Sequence, residues 1–124
     1  NALFIYRLDI KDDLTLKFKE EKFKPIEGGS SLIGDDLNIL KKYENLNKEI
    51  NKAVDATLRE ILMLKNINYR IFSSWLTKAE PKTSSDSHNH ANSWLSGIYY
   101  PKSDPGFSTC IILPTGPSSL KTIT

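Results

Sequence analysis

Apolar positions change their period along this chain, and the changes mark out its elements. The opening "NALFIYRLDI" sets β-branched and aromatic residues close together and runs into the polar "KDD", which predicts an extended strand. In "LTLKFKEEKFKPI", Leu14, Leu16 and Phe18 share one parity while Thr15, Lys17 and Lys19 share the other. That pattern suits a second strand or a short helix, closed by Pro25. Gly28, Gly29, Ser30, Ser31 and Gly34 then read as a linker inside the domain.

From Asp35 and Asp36, both good N-cap residues, apolar side chains recur at Leu37, Leu40, Tyr43, Leu46, Ile50, Val54, Leu58, Ile61 and Leu62. The spacing predicts one long helix with its apolar stripe on the core and Lys41, Lys42, Glu44, Lys48, Glu49, Asp55 and Arg59 on the other face. Asn45, Asn47, Asn51 and Asn66 weaken it, so a break near the middle is foreseen. After Leu64 the period shortens. "INYRIFSSWLTKAE" alternates like a strand, "SWLSGIYY" is a further strand bounded by Pro101, and "FSTCIILP" is a short apolar one after the turn "KSDPG". A helical first part followed by closely spaced strands is an α+β arrangement. It reads as a single domain over residues 1–124, with a strand and helix region at 1–66 and a β-region at 67–124.

Composition narrows the function without naming it. Charged residues are 26% and apolar ones 39%, ordinary for a globular domain, and no apolar run approaches the roughly 20 residues that span a bilayer. The 17 basic and 15 acidic side chains leave +2, with lysines interspersed among carboxylates, so bulk electrostatics do not suggest nucleic-acid binding. A lone cysteine, Cys110, with no secretory signal ahead of it favours a reducing cytoplasm. Asn1 in place of an initiator methionine, and a final "LPTGPSSLKTIT" without an apolar pattern, read as a fragment.

Candidate chemistry gathers in "SDSHNHANSWLSGIYY". Residues i and i+2 of a strand project to one side, so His88 and His90 could present two imidazoles to a zinc, iron, copper or nickel ion. His-x-His also occurs on ordinary polar loops, and the flanking "TSSDS" favours that alternative. Asp86 and Asp104 are substitute ligands or solvated turn residues. Trp75 is a core aromatic. Ser96 and Gly97 lie in mid-strand, where a glycine marks close approach of a backbone or ligand, or crowding by Trp94. Tyr99 and Tyr100 point to opposite faces. Cys110, among apolar neighbours, reads as buried. "GGSSLIG" lacks the lysine and spacing of a phosphate-binding loop.

The run "HNHANSWLSGIYY", with "SSW" upstream, resembles the 2-oxoglutarate and iron(II)-dependent oxygenase family found among phages and marine bacteria. Its pattern is a Ser-Trp strand, a loop, His-x-His-(Pro or Ala)-Asn-Ser, then Leu-Ser-Gly-(Val or Ile)-Tyr-Tyr, and the match covers Ser74 to Tyr100. The resemblance implies a double-stranded β-helix, jelly-roll or cupin-like, with the long N-terminal helix packed outside. It implies Fe(II) as cofactor and 2-oxoglutarate as co-substrate, with His88 as first metal ligand and His90 where the wider superfamily has a carboxylate. Thr77 and Ser96 are the residues expected near the co-substrate. The family's downstream half, with a distal histidine and an arginine for the co-substrate carboxylate, has no counterpart here. There is no third histidine, and Arg7, Arg59 and Arg70 all precede the motif. Five or six strands are legible where a closed jelly roll needs about eight.

Three functions follow from these readings: a hydroxylating dioxygenase-like domain of unknown substrate, a non-catalytic jelly-roll module of the phage-associated kind, and a cupin-type metal-binding protein of other chemistry. Free sheet edges would make a homo-oligomer plausible.

Overall fold

The computed structural model describes residues 3–28, 31–61, 63, 68–71, 73–78, 95–101 and 108–114. Among these residues it is α+β: two three-stranded antiparallel sheets with helices.

Strand β1 spans Phe4–Leu8. Its alternation is real, with Phe4, Tyr6 and Leu8 turned to the core and Ile5 and Arg7 turned outward. Helix α1, Leu14–Lys19, takes the stretch for which strand and helix both remained open. Asp13 caps it, its carboxylate accepting from the Thr15 amide at 3.1 Å, and Lys17 and Lys19 sit in the last turn where they complement the helix dipole. The shared parity of Leu14, Leu16 and Phe18 does not describe one face. Leu14 and Phe18, four apart, meet the core, and Leu16 is exposed.

Strands β2 (Phe23–Pro25) and β3 (Leu32–Gly34) form a hairpin, closed by the Ile26 amide donating to the Ser31 carbonyl and turned at Gly28, whose φ is +77°. The expected linker therefore ends in a strand: Leu32, Ile33 and Gly34 have partners on both sides. Glycine suits the close approach there: a Cβ would lie 3.3 Å from that of Leu76, which would have to give slightly, while the Gly34 amide donates to the Leu76 carbonyl at 2.8 Å.

The single long helix is corrected by the structure. Asp35 and Asp36 do not cap an α-helix; the Asp36 carboxylate accepts from the Asn38 amide, making a local turn. A 3-10 turn, Ile39–Lys42, follows, then a break at Tyr43, then α2 over Glu44–Ala56, which runs on as a π-helical turn over Thr57–Ile61. Cross-chain bonding explains the interruption. Ser74 donates its amide to the Leu37 carbonyl, accepts the Ile39 amide at its carbonyl and accepts the Leu40 amide at its hydroxyl. These are groups a continuous helix would spend on itself. Leu37 is left exposed, whereas Leu46, Ile50 and Val54 keep the predicted stripe against the core, joined there by Ala53.

The strand expected over "INYRIFSSWLTKAE" is also shorter. Within the described residues it contributes a bridge at Ser74 and the two-residue β4, Thr77–Lys78, paired with β3. Tyr69 leaves any alternating register to donate its hydroxyl to Asn51 of α2. Trp75 is half-buried.

Strands β5 (Leu95–Tyr100) and β6 (Ser108–Pro114) fall where the apolar pattern placed them. β6 is central, with Tyr6 opposite Cys110 and Cys110 opposite Tyr99, and with Phe4 opposite Ile112 and Ile112 opposite Gly97. Leu8, Ile10, Leu14, Leu46, Ala53, Cys110 and Ile112 make the core between this sheet and α2. Two buried hydroxyls are satisfied inside it. Ser108 donates to the Leu8 carbonyl at 2.8 Å, and Thr57 donates to the Ala53 carbonyl while sharing a hydrogen bond with the Tyr6 hydroxyl. No helix among the described residues is long and apolar enough to cross a membrane.

The two faces of this sheet should respond oppositely to truncation. Ile112→Ala, beneath α2, is expected to cost about 2–5 kcal/mol in urea unfolding, whereas Ile5→Thr on the other face should stay within about 0.5 kcal/mol.

Candidate functional site

His88 and His90, with Asp86 and Asp104, lie outside the described residues. Among the described residues no three His, Cys, Asp or Glu side chains converge to hold a metal ion. What the structure defines is the framework on either side of the histidine segment: β4 before it and β5 after it.

Thr77 is exposed on β4, opposite Ile33 of β3. Ser96 is half-buried on β5, opposite Leu113 of β6. The two residues expected near a co-substrate thus stand in different sheets. Gly97 pairs with Ile112, and a Cβ there would sit 3.7 Å from the Ile111 carbonyl oxygen, an ordinary contact, so no close backbone approach demands glycine at this position. Tyr99 and Tyr100 do face opposite ways. Tyr99 is half-buried against the core, with its hydroxyl pushed up in pKa by burial, and Tyr100 is 52% exposed.

Strand alternation gives the sheet a second face, directed away from α2. One row across it is Ile5, Ile111 and Ile98, each opposite the next in the β1-β6-β5 register. The neighbouring row is Arg7, Thr109 and Tyr100, and Leu113 with Ser96 borders the isoleucines on the other side. Ile5 is 64% and Ile98 46% exposed. Among the described residues, this apolar row, exposed at Ile5 and Ile98 and half-buried at Ile111, is the feature that most calls for a partner. Sequence reading assigned β1 only as a strand and gave Ile5 and Arg7 no role. The alternation within "FIYRL" was the available signal, but it acquires meaning only once β6 is known to lie beside β1.

Two other groups are structural. The Tyr43 hydroxyl donates to Glu21, which also pairs with Lys42 at 3.0 Å, and burial together with that carboxylate raises the tyrosine pKa to about 12. Phe18 packs edge-on against the same ring at 5.1 Å. A cavity of about 150 Å³ beside it, lined in part by Ile10, Asp12, Lys17 and Asn45, lies away from the histidine-flanking strands. Cys110, buried as expected, has its thiol raised to about 11 by desolvation, so it is protonated and unreactive at neutral pH.

Residues 73–121 match the model of a protein family described as "Putative 2OG-Fe(II) oxygenase". The matched segment, under half of the chain, begins one residue before the Ser74 bridge and takes in β4, the histidine segment, β5 and β6. It supports an oxygenase-like domain, and iron(II) and 2-oxoglutarate are the cofactor and co-substrate that the family's description names. No curated protein and no solved structure matches the chain.

Burial of Cys110 and Tyr43 makes stability sensitive to alkali. Both groups hold their protons more tightly folded than unfolded, so their contribution is complete below pH 9 and is lost as pH rises through about 11 for the thiol and about 12 for the phenol. Equilibrium unfolding as a function of pH should show stability falling from pH 9 upward. In Cys110→Ala that fall should begin about one pH unit later, near the ordinary tyrosine range.

Proposed function

We propose that this chain is a dioxygenase-like domain of the iron(II) and 2-oxoglutarate type, acting by hydroxylation. The observation that carries the proposal is the match over residues 73–121, whose strands β5 and β6 follow the His-x-His segment directly and present one covered and one open face. In this reading the open face is the inner wall of a jelly roll, and α2 packs outside. That division of labour fits a sheet whose α2 side is closed by core side chains.

His88 and His90 are the proposed metal ligands, with imidazole donors suited to iron(II). Thr77 and Ser96 are proposed on the co-substrate side. The metal and 2-oxoglutarate would supply the oxidation. The chain's own part is to orient the ligands from the ends of β4 and β5 and to keep an apolar wall beside them.

Anaerobic titration with iron(II) and 2-oxoglutarate tests this. The expected result is binding of about one iron per chain, with the visible charge-transfer band of an iron and 2-oxoglutarate chelate, both lost in His88→Ala. Absence of stoichiometric iron and of the band in the unaltered protein would overturn the reading in favour of a non-catalytic module.

A further inference from the structure

We propose that the sheet face directed away from α2 is a binding site for a medium-chain aliphatic carboxylate. The carboxylate would rest on Arg7, Thr109 and Tyr100, and the chain would lie along Ile5, Ile111 and Ile98. The register is the basis: Arg7 stands opposite Thr109 and Thr109 opposite Tyr100, so three polar side chains of one face occupy three adjacent strands. With strands about 4.8 Å apart, the row spans roughly 10 Å.

The chemistry of that row is selective. A guanidinium offers a planar fork of donors that matches a carboxylate, and the threonine and tyrosine hydroxyls can each donate once more. Arg7 is exposed and forms no ion pair among the described residues, and Asp9, two positions on, is not bonded to it. Within the paired strands this face carries no carboxylate of its own, so its charge is complementary to an anion. The adjoining row is entirely β-branched hydrocarbon, with Ile5 and Ile98 exposed and Ile111 half-buried between them. One cation with two hydroxyls on one side and three isoleucines on the other is the signature of an amphiphile with an anionic head. A row of three isoleucines is also far below the roughly 800 Å² per partner that a stable protein interface buries, which favours a small ligand over a second copy of the chain.

The site needs no metal, so its test is separate from the iron titration and can succeed or fail whatever that experiment returns. Octanoate would be titrated into the metal-free protein by calorimetry, with octanol as the neutral counterpart and 2-oxoglutarate as a carboxylate lacking an apolar tail. Saturable octanoate binding is expected, weakened about tenfold or more in Arg7→Ala, several-fold in Thr109→Val or Tyr100→Phe, and about fourfold or more in Ile98→Thr. Circular dichroism should show these surface variants folded. Equal binding of octanol, or unchanged affinity in Arg7→Ala, would reduce the face to non-specific apolar adsorption and overturn the proposal. Displacement of octanoate by 2-oxoglutarate at equal or lower concentration would also overturn it, because the isoleucine row would then contribute nothing.

Discussion

Strand β6 is hydrogen-bonded along both edges, to β1 on one side and β5 on the other, and this double pairing decides which side chains meet α2. Because the side-chain period of a strand is two, one register fixes all three strands at once. Ser108, Cys110 and Ile112 go under the helix, and Thr109, Ile111 and Leu113 go to the other face. The hydroxyl of Ser108 reinforces the arrangement by bonding the Leu8 carbonyl, so the last core residue of β1 is held by side chain as well as by ladder. A slip of one residue would bury Arg7 and expose Cys110.

Much of this was legible in the residues. β1, β5 and β6 are short, apolar and bounded by turn residues, and α2 carries a stripe at helical spacing. The misreadings share one cause: local pattern was overruled by partners distant in sequence. The apolar series from Leu37 to Leu62 looks continuous, but Ser74 takes the Leu37 carbonyl and the Ile39 and Leu40 amides out of helical bonding. "LIG" looks like the tail of a linker until β2 and β4 pair with it. Tyr69 fits an alternating strand by sequence, and its hydroxyl is taken by Asn51. The histidine motif carried the family resemblance, and the match over residues 73–121 agrees with it. The open face was invisible because Ile5 and Arg7 stand a hundred residues from the strand that gives them neighbours.

The segment with family resemblance is not independent of what precedes it. Its first residues are stitched to β3 and to the 3-10 turn through Ser74 and Leu76, with Gly34 allowing the two backbones to close to contact distance. Its last strand shares a core with β1 and α2. Side chains contributed by the first sixty residues therefore set the shape of the surface on which the later strands present their chemistry.

The bond from Ser108 to Leu8 joins positions 100 residues apart. On a ribosome adding roughly 5–20 residues per second, β1 and the apolar face of α2 emerge several seconds before the strand that unites them. During that interval α1, α2 and the β2-β3 hairpin can form from local contacts, while Phe4, Tyr6 and Leu8 wait in water. The nascent chain thus passes through a stage in which an apolar strand is complete while the ladder partner described for it has yet to emerge.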